Sequence, residues 1–132
     1  MALLQSLIIL RLFLALILGA ILGFEHGRFY RPAGIKVHVL VSIGAAMVTL
    51  LAIDSATIDL GMVILGILVA VGLLGVGIIL NVKNHLHGVT SAVSLWIVGL
   101  IGIAAGVGQY LLALIVTFVA FIVLEIKPSK KR

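Results

Sequence analysis

Residues able to do chemistry are scarce in this chain. Its 132 residues include four carboxylates, four histidines and no cysteine. The lack of a thiol excludes thiolate zinc sites, iron–sulfur clusters and cysteine nucleophiles. His85 and His87 could be metal ligands, but two histidines without a third ligand are a weak signal for zinc. No Ser, His and Asp set with a plausible catalytic geometry is evident, so the sequence predicts a non-enzymatic protein without a cofactor.

Magnesium is the cation that the acidic residues could bind. It prefers oxygen ligands, usually one or two carboxylates with several waters retained. Asp54 and Asp59 share the short polar segment DSATIDL and could together hold a hydrated ion. Their alternative roles are to orient the chain or to pair with a basic residue. No pair of carboxylates falls in the middle of an apolar run, so the sequence assigns no metal ligand set and supports Mg²⁺ only weakly.

Arg11 is the most informative single residue, because it lies inside an apolar run where a charge costs about 2.5–3.5 kcal/mol. The residues at every fourth position after it are small: Ala15, Gly19 and Gly23. This spacing places them with Arg11 on one helix face, which is predicted to pack against another helix. Two roles stay open for Arg11. It is a functional charge (an ion path, a partner contact or a response to voltage), or it forms an architectural salt bridge with Asp54 or Asp59.

The elements that position these residues are predicted to be membrane helices. Apolar residues make up 64% of the chain, charged residues 10%, and the mean hydropathy is +1.44. In soluble domains apolar residues make up about 45–50% and charged residues about 25%. The composition therefore excludes a soluble enzyme, a disordered chain and a nucleic-acid-binding protein. A span needs about 20 apolar residues. The runs predict an all-α integral membrane protein with five spans, at about residues 2–23, 37–53, 61–80, 89–105 and 109–126.

Orientation follows from the basic residues, which are enriched in cytoplasmic loops. With the N-terminus outside, eight of the nine lysines and arginines fall on the cytoplasmic side, and Arg11 is the ninth. The sequence therefore predicts a multi-pass protein of the plasma (inner) membrane of a prokaryote, with its C-terminus in the cytoplasm. It comprises one membrane domain, residues 1–126, and a short basic tail, residues 127–132.

The predicted cytoplasmic side gathers a loop motif made of Glu25, Arg28, Lys36 and His38. One interpretation is contact with anionic lipid headgroups, worth about 1 kcal/mol per basic residue. The other is a pair between Glu25 and Arg28, one helical turn apart, that orders the loop for a protein partner.

Glycines form the second pattern and indicate close helix packing. The fourth span carries Gly99, Gly102 and Gly106 on one face, and the first carries Gly19 and Gly23. Small residues at such spacing let helix backbones approach closely. The glycines could serve packing within the bundle, docking of another membrane protein, or a homodimer.

The order of the motifs resembles the membrane domain of the MgtC (MgtC/SapB) family. The matching segments are RLFLALILGAILGFEHGR, RPAGIKVHVLVSIGAAM, VGLLGVGIIL, GVTSAVSLWIVGLIGIAAGVGQY and LLALIVTF. The resemblance implies a five-helix inner-membrane protein associated with magnesium limitation and with restraint of the F-type ATP synthase. The positions that match the family's polar residues are Arg11, Glu25, Arg28, Lys36, His38 and Asp59.

Three departures from the family pattern concern specific positions. Met62 and Gly66 stand where the family commonly has Arg and Gln, and His26 stands where a second basic residue is usual. The soluble C-terminal domain of longer members is expected to be missing from this short form.

The sequence thus favours a non-enzymatic regulator, linked to magnesium homeostasis, that binds another membrane protein. Arg11 and the loop of Glu25 and Arg28 would carry its specificity, and the ATP synthase is a candidate partner. The alternative is a magnesium or other cation transporter or channel, with Asp54 and Asp59 as an outer site and Arg11 as its gate. A small structural subunit without activity of its own is the third hypothesis.

Overall fold

The computed structural model describes residues 2–28, 33–83 and 85–126. Within these ranges the chain forms five α-helices: α1 (Ala2–Gly27), α2 (Ile35–Asp54), α3 (Leu60–Asn81), α4 (His85–Val107) and α5 (Tyr110–Glu125). The all-α membrane protein predicted from the sequence is confirmed. Four helices have the length and composition of membrane spans, and α5 is a shorter apolar helix of 16 residues.

Some helices extend past the apolar runs that define the predicted spans. Helix α1 continues to Gly27 and α4 begins at His85, because backbone hydrogen bonding does not stop where hydropathy falls. The sidedness of the termini stays a prediction. The predicted basic tail, residues 127–132, lies outside the described residues.

Helix α4 is the centre of the bundle and contacts each of the other four helices. Its most apolar stretch is 56% buried, whereas that of α3 is 11% buried. Small residues explain this position, because glycine, alanine and serine let neighbouring backbones come close. Helix α3 contacts α4 and α2 alone, so it lies at the edge of the bundle.

The larger cluster of the core is formed by apolar side chains of α1, α4 and α5. A cluster of buried residues joins these helices: Leu18, Leu22, Val98, Ile101, Ala113 and Leu124. Most other large apolar side chains point outward, as expected for a bundle whose surface faces lipid tails. Helix association in such a setting depends on close packing and polar contacts rather than on the hydrophobic effect.

Successive helices run in alternating directions, so the helix termini gather at two ends of the bundle. We call the end that holds Glu25, His38 and Ser94 the clasp end. The opposite end, where α4 turns into α5 beside Arg11, is called the turn end. The sequence places most of its unusual polar residues at these two ends.

Candidate functional site

Arg11 binds the junction between α4 and α5 at the turn end. Its Nη1 donates to the carbonyl oxygen of Gly106 at 3.0 Å, and its Nε donates to the hydroxyl of Tyr110 at 3.2 Å. Although Arg11 is central in its apolar run, it lies level with this turn, and the preceding residues 2–10 are exposed. The charge therefore lies near one end of the bundle, not halfway along it.

The turn explains why a cation belongs there. The amide N–H of Gln109 donates to the carbonyl of Ala104 at 2.9 Å, and that of Gly108 donates to Ala105 at 3.2 Å, which is a Schellman helix end. Gly108 has a φ of +96°, a conformation that glycine adopts without strain. The carbonyl of Gly106 is one of the last in α4, and Arg11 satisfies it with a charge that suits the helix dipole.

Asp54 and Asp59 do not pair with Arg11, whose partners are Gly106 and Tyr110, so the salt bridge considered from the sequence is wrong. Asp54 is an exposed residue at the end of α2. Asp59 caps α3 by accepting a hydrogen bond from the amide N–H of Met62 at 3.2 Å. An aspartate just before an apolar run is a recognisable helix-capping signal. Among the described residues, no group of three His, Asp or Glu side chains could hold a metal ion.

His38 joins α2 to α4 at the clasp end and is fully buried. Its Nδ1 lies 3.1 Å from the carbonyl oxygen of Gly34, and its Nε2 lies 2.7 Å from Oγ of Ser94. A carbonyl oxygen can only accept, so Nδ1 carries the hydrogen. In the neutral ring Nε2 is then the acceptor, and the Ser94 hydroxyl donates to it.

His26 forms a second, parallel connection. Its Nε2 lies 2.8 Å from Oγ of Ser91, one helical turn before Ser94, and its ring centroid is 5.0 Å from that of His38. Two histidines from α1 and α2 thus bind two serines on one face of α4. The two serines lie three positions apart in an otherwise largely apolar helix, and this spacing is the signal that could have identified the pair.

Arg28 connects the ends of α1 and α5. Its Nη1 lies 3.0 Å from Oε1 of Glu25 and 3.1 Å from Oε2 of Glu125. The hydrogen bond to Glu25, followed by the charges of Glu25 and Glu125, raises the pKa of Arg28 above its usual value. Glu25 is 1% exposed, and its Oε2 is buried without a hydrogen-bond partner among the described residues.

The four residues of the predicted loop motif, Glu25, Arg28, Lys36 and His38, therefore do not form one site. Glu25 and Arg28 form the expected pair, and Glu125 is a third member that the sequence did not indicate. His38 belongs to the buried serine contact, and Lys36 is exposed. The side chain of His85 lies outside the described residues.

The five glycines singled out for packing all face a neighbouring helix. A Cβ atom added to Gly19 would lie 2.9 Å from Cβ of Ser42, and one added to Gly23 would lie 2.7 Å from Cα of Ile35.

On α4, an added Cβ at Gly102 would collide with the carbonyl oxygen of Ser42, while Gly106 faces Ala46 and Gly99 faces Val71. The hydroxyl of Ser42 also donates to the carbonyl of Ala15 at 2.7 Å.

The two positions that depart from the family pattern in α3 lie on its outer surface. Met62 is 69% exposed, and a Cβ added to Gly66 would meet no atom within 4 Å. Both positions therefore lie outside the interior of the bundle.

Comparison with known proteins places the chain in a family. The model of the MgtC family matches residues 12–132. Protein MgtC of Salmonella typhimurium LT2 is 33% identical over 111 residues, which cover 84% of this chain and 48% of that protein. Protein SrpB of Synechococcus elongatus is 33% identical over 130 residues, covering 87% of the chain and 71% of SrpB.

A third relative carries a functional name. The Escherichia coli K12 protein named "Putative magnesium transporter YhiD" is 29% identical over 127 residues, covering 89% of the chain and 59% of that protein. The chain spans about half the length of the MgtC proteins it matches. No solved structure matches it. With five apolar helices and a family match over most of its length, the chain is a multi-pass bacterial inner-membrane protein that belongs to the MgtC family.

Proposed function

We propose that this protein is a non-catalytic regulator that serves magnesium-related physiology by binding another inner-membrane protein. The observation that supports this proposal is that the interior polar side chains form hydrogen bonds between helices. Arg11 binds Gly106 and Tyr110, and His38 binds Ser94. Side chains that join helices in this way are engaged in architecture, whereas an ion path needs groups that face a water-filled cavity.

The outer surface is where a partner would bind. Helix α3 buries the smallest share of its surface among the long helices, and its outer face includes Met62 and Gly66. The family resemblance makes the membrane part of the F-type ATP synthase the candidate partner. Binding there would change the rate of proton flow without any chemistry by this chain.

The test measures ATP-driven proton pumping in inverted inner-membrane vesicles, followed with a pH-sensitive dye. Vesicles from cells that express the chain should pump more slowly than vesicles without it. Photocrosslinkers replace Met62 on α3 and, as a matched control, Leu111 on α5, which are 69% and 71% exposed. A synthase adduct at Met62 alone supports the proposal. Unchanged pumping without an adduct contradicts it, and an adduct with a second copy indicates a homodimer.

Magnesium transport is the second candidate, favoured by the name of the E. coli relative and by the exposed Asp54 and Asp59 at the turn end. Uptake into liposomes containing the purified protein, reported by an internal magnesium dye, tests it. Asp59→Asn is a suitable variant because asparagine also caps helices well, so α3 should still fold. Saturable uptake that this variant abolishes would overturn the regulator proposal.

A further inference from the structure

A long apolar groove lies between α4 and α5 and reaches the clasp end. Its volume is about 580 Å³, within the range of about 300–1,000 Å³ that is usual for ligand sites. Leu22 of α1 contributes to its lining, together with residues of α4 and α5 such as Val93, Ile97, Val119 and Ala120. Val93 and Val119 are each 54% exposed, so the groove opens outward to the bilayer.

The polar groups of this groove are already engaged within the protein. The hydroxyl of Thr90 donates to the carbonyl of Leu86 at 3.0 Å, and the hydroxyl of Ser94 lies 2.7 Å from Nε2 of His38. A polar ligand or a hydrated ion would lose hydrogen bonds to water on entering and would find no free side-chain hydroxyl donor in the groove in return. The chemistry of the groove therefore fits an apolar chain.

A guanidinium lies near the clasp end of the groove, between two carboxylates. Leu124, which lines the groove, precedes Glu125, and Glu125 pairs with Arg28. The side chain of Arg28 is 48% exposed, and a guanidinium is well suited to bidentate binding of phosphate. Exposed Lys36 and Lys83 lie at the same end, where the acids are Glu25 and Glu125. Among the described residues, three basic side chains (Arg28, Lys36 and Lys83) thus stand against these two acids at this end.

We propose that the groove binds an anionic phospholipid, with an acyl chain between α4 and α5 and the phosphate on Arg28 in place of Glu125. Basic pockets between membrane helices are known to bind anionic headgroups. Replacement of the Glu125 carboxylate by a phosphate should cost little free energy, because the pair of Arg28 and Glu125 is solvent-exposed. Exposed ion pairs contribute little net stability. The carboxylate of Glu125 holds the position on Arg28 that the phosphate would take.

The experiment counts bound lipids by native mass spectrometry. The purified protein is equilibrated with mixed micelles that contain equal amounts of phosphatidylglycerol and phosphatidylcholine with the same acyl chains. We expect an excess of bound phosphatidylglycerol of about fivefold, the effect expected of one basic residue at a membrane surface. Arg28→Gln should remove the excess and Glu125→Gln should increase it. Asp59→Asn makes the same charge change as Glu125→Gln but at the turn end, and should leave the excess unchanged.

A second pair of variants tests the acyl-chain part of the site. Val119→Phe narrows the groove and should lower retention of both lipids, whereas Val69→Phe on α3 should not. These positions are 54% and 56% exposed, so neither substitution should prevent folding. Soluble glycerol phosphate should fail to displace the lipid, and displacement would indicate a site for free phosphate instead.

Three further results would overturn the proposal. The first is equal retention of the two lipids by the wild-type protein. The second is a Glu125→Gln variant whose excess of bound phosphatidylglycerol is no larger than that of the wild type. The third comes from native membranes, where a photocrosslinker at Val93 should label lipid. A protein adduct at that position would assign the groove to a partner helix.

Discussion

Both ends of the bundle connect α1 to α4, but by different chemistry. At the turn end, Arg11 binds a backbone carbonyl and a tyrosine hydroxyl, so one cation closes the junction of α4 and α5. At the clasp end, α1 and α2 contact α4 through side-chain pairs, His26 with Ser91 and His38 with Ser94. The first contact depends mainly on one residue and a backbone shape, whereas the second depends on matched side chains.

Close packing of α2 and α4 joins the two ends, so the largest expected effect comes from disrupting it. Gly102→Ala would push a methyl group against the carbonyl oxygen of Ser42. We expect a loss of about 2 kcal/mol or more in the free energy of unfolding, because backbone atoms cannot move aside as a side-chain tip can. The measurement is denaturant unfolding in mixed micelles.

The matched control is Gly66→Ala in α3, where an added Cβ has open space. It should be neutral or stabilising by up to about 1 kcal/mol, since alanine favours helices over glycine. Equal stability of the two variants would mean that α2 and α4 do not need this close approach.

Removing Arg11 should disrupt the turn end and spare the clasp end. Arg11→Met leaves the carbonyl of Gly106 unsatisfied. We expect the free energy of unfolding to fall by about 1.5–3 kcal/mol, the value of a hydrogen bond that involves a charged group. Hydrogen exchange should rise at residues 106–110 and stay unchanged at residues 91–94. Increased exchange at both ends would show that the two ends open together, contrary to the comparison.

The contact between His38 and Ser94 can be isolated with a double-mutant cycle. The cycle of His38→Leu and Ser94→Ala should give a coupling energy of about 0.6 kcal/mol and at most about 1.7 kcal/mol, the range for hydrogen bonds between membrane helices. Thr117 provides the control, because its hydroxyl donates within its own helix to Ala113. A His38 and Thr117 cycle should give no coupling, and equal values in the two cycles would remove the evidence for a specific pair.

The smallest effect is expected at the exposed ion pair of the clasp end. Glu125→Gln should leave the unfolding midpoint unchanged at physiological salt, because exposed charges are screened and their pairing is weak. Glu25→Gln should lower the midpoint measurably, because Glu25 is buried. A shift for Glu125→Gln as large as that for Glu25→Gln would show that the pair contributes to folding rather than to surface binding.

Much of the fold follows from the sequence, because run length predicts helices and glycines in GVGQY predict the turn between α4 and α5. Helical spacing also indicated that Arg11 and Gly19 share an inward face. It could not reveal which helix they meet, since a periodic pattern defines a face but not its neighbour. The contacts of Arg11 with Tyr110 and of Arg28 with Glu125 join residues 99 and 97 positions apart, which no local pattern encodes.

The contacts of Arg11 have a consequence for how the protein is made. Its partners lie 95 and 99 residues later in the chain, so the first helix reaches the membrane long before α4 and α5 leave the ribosome. During that interval the guanidinium has neither of its final acceptors and must stay near water or headgroups. Arrival of α4 and α5 then supplies the acceptors for this charge, so the contacts of Arg11 form only when the last two helices are in place.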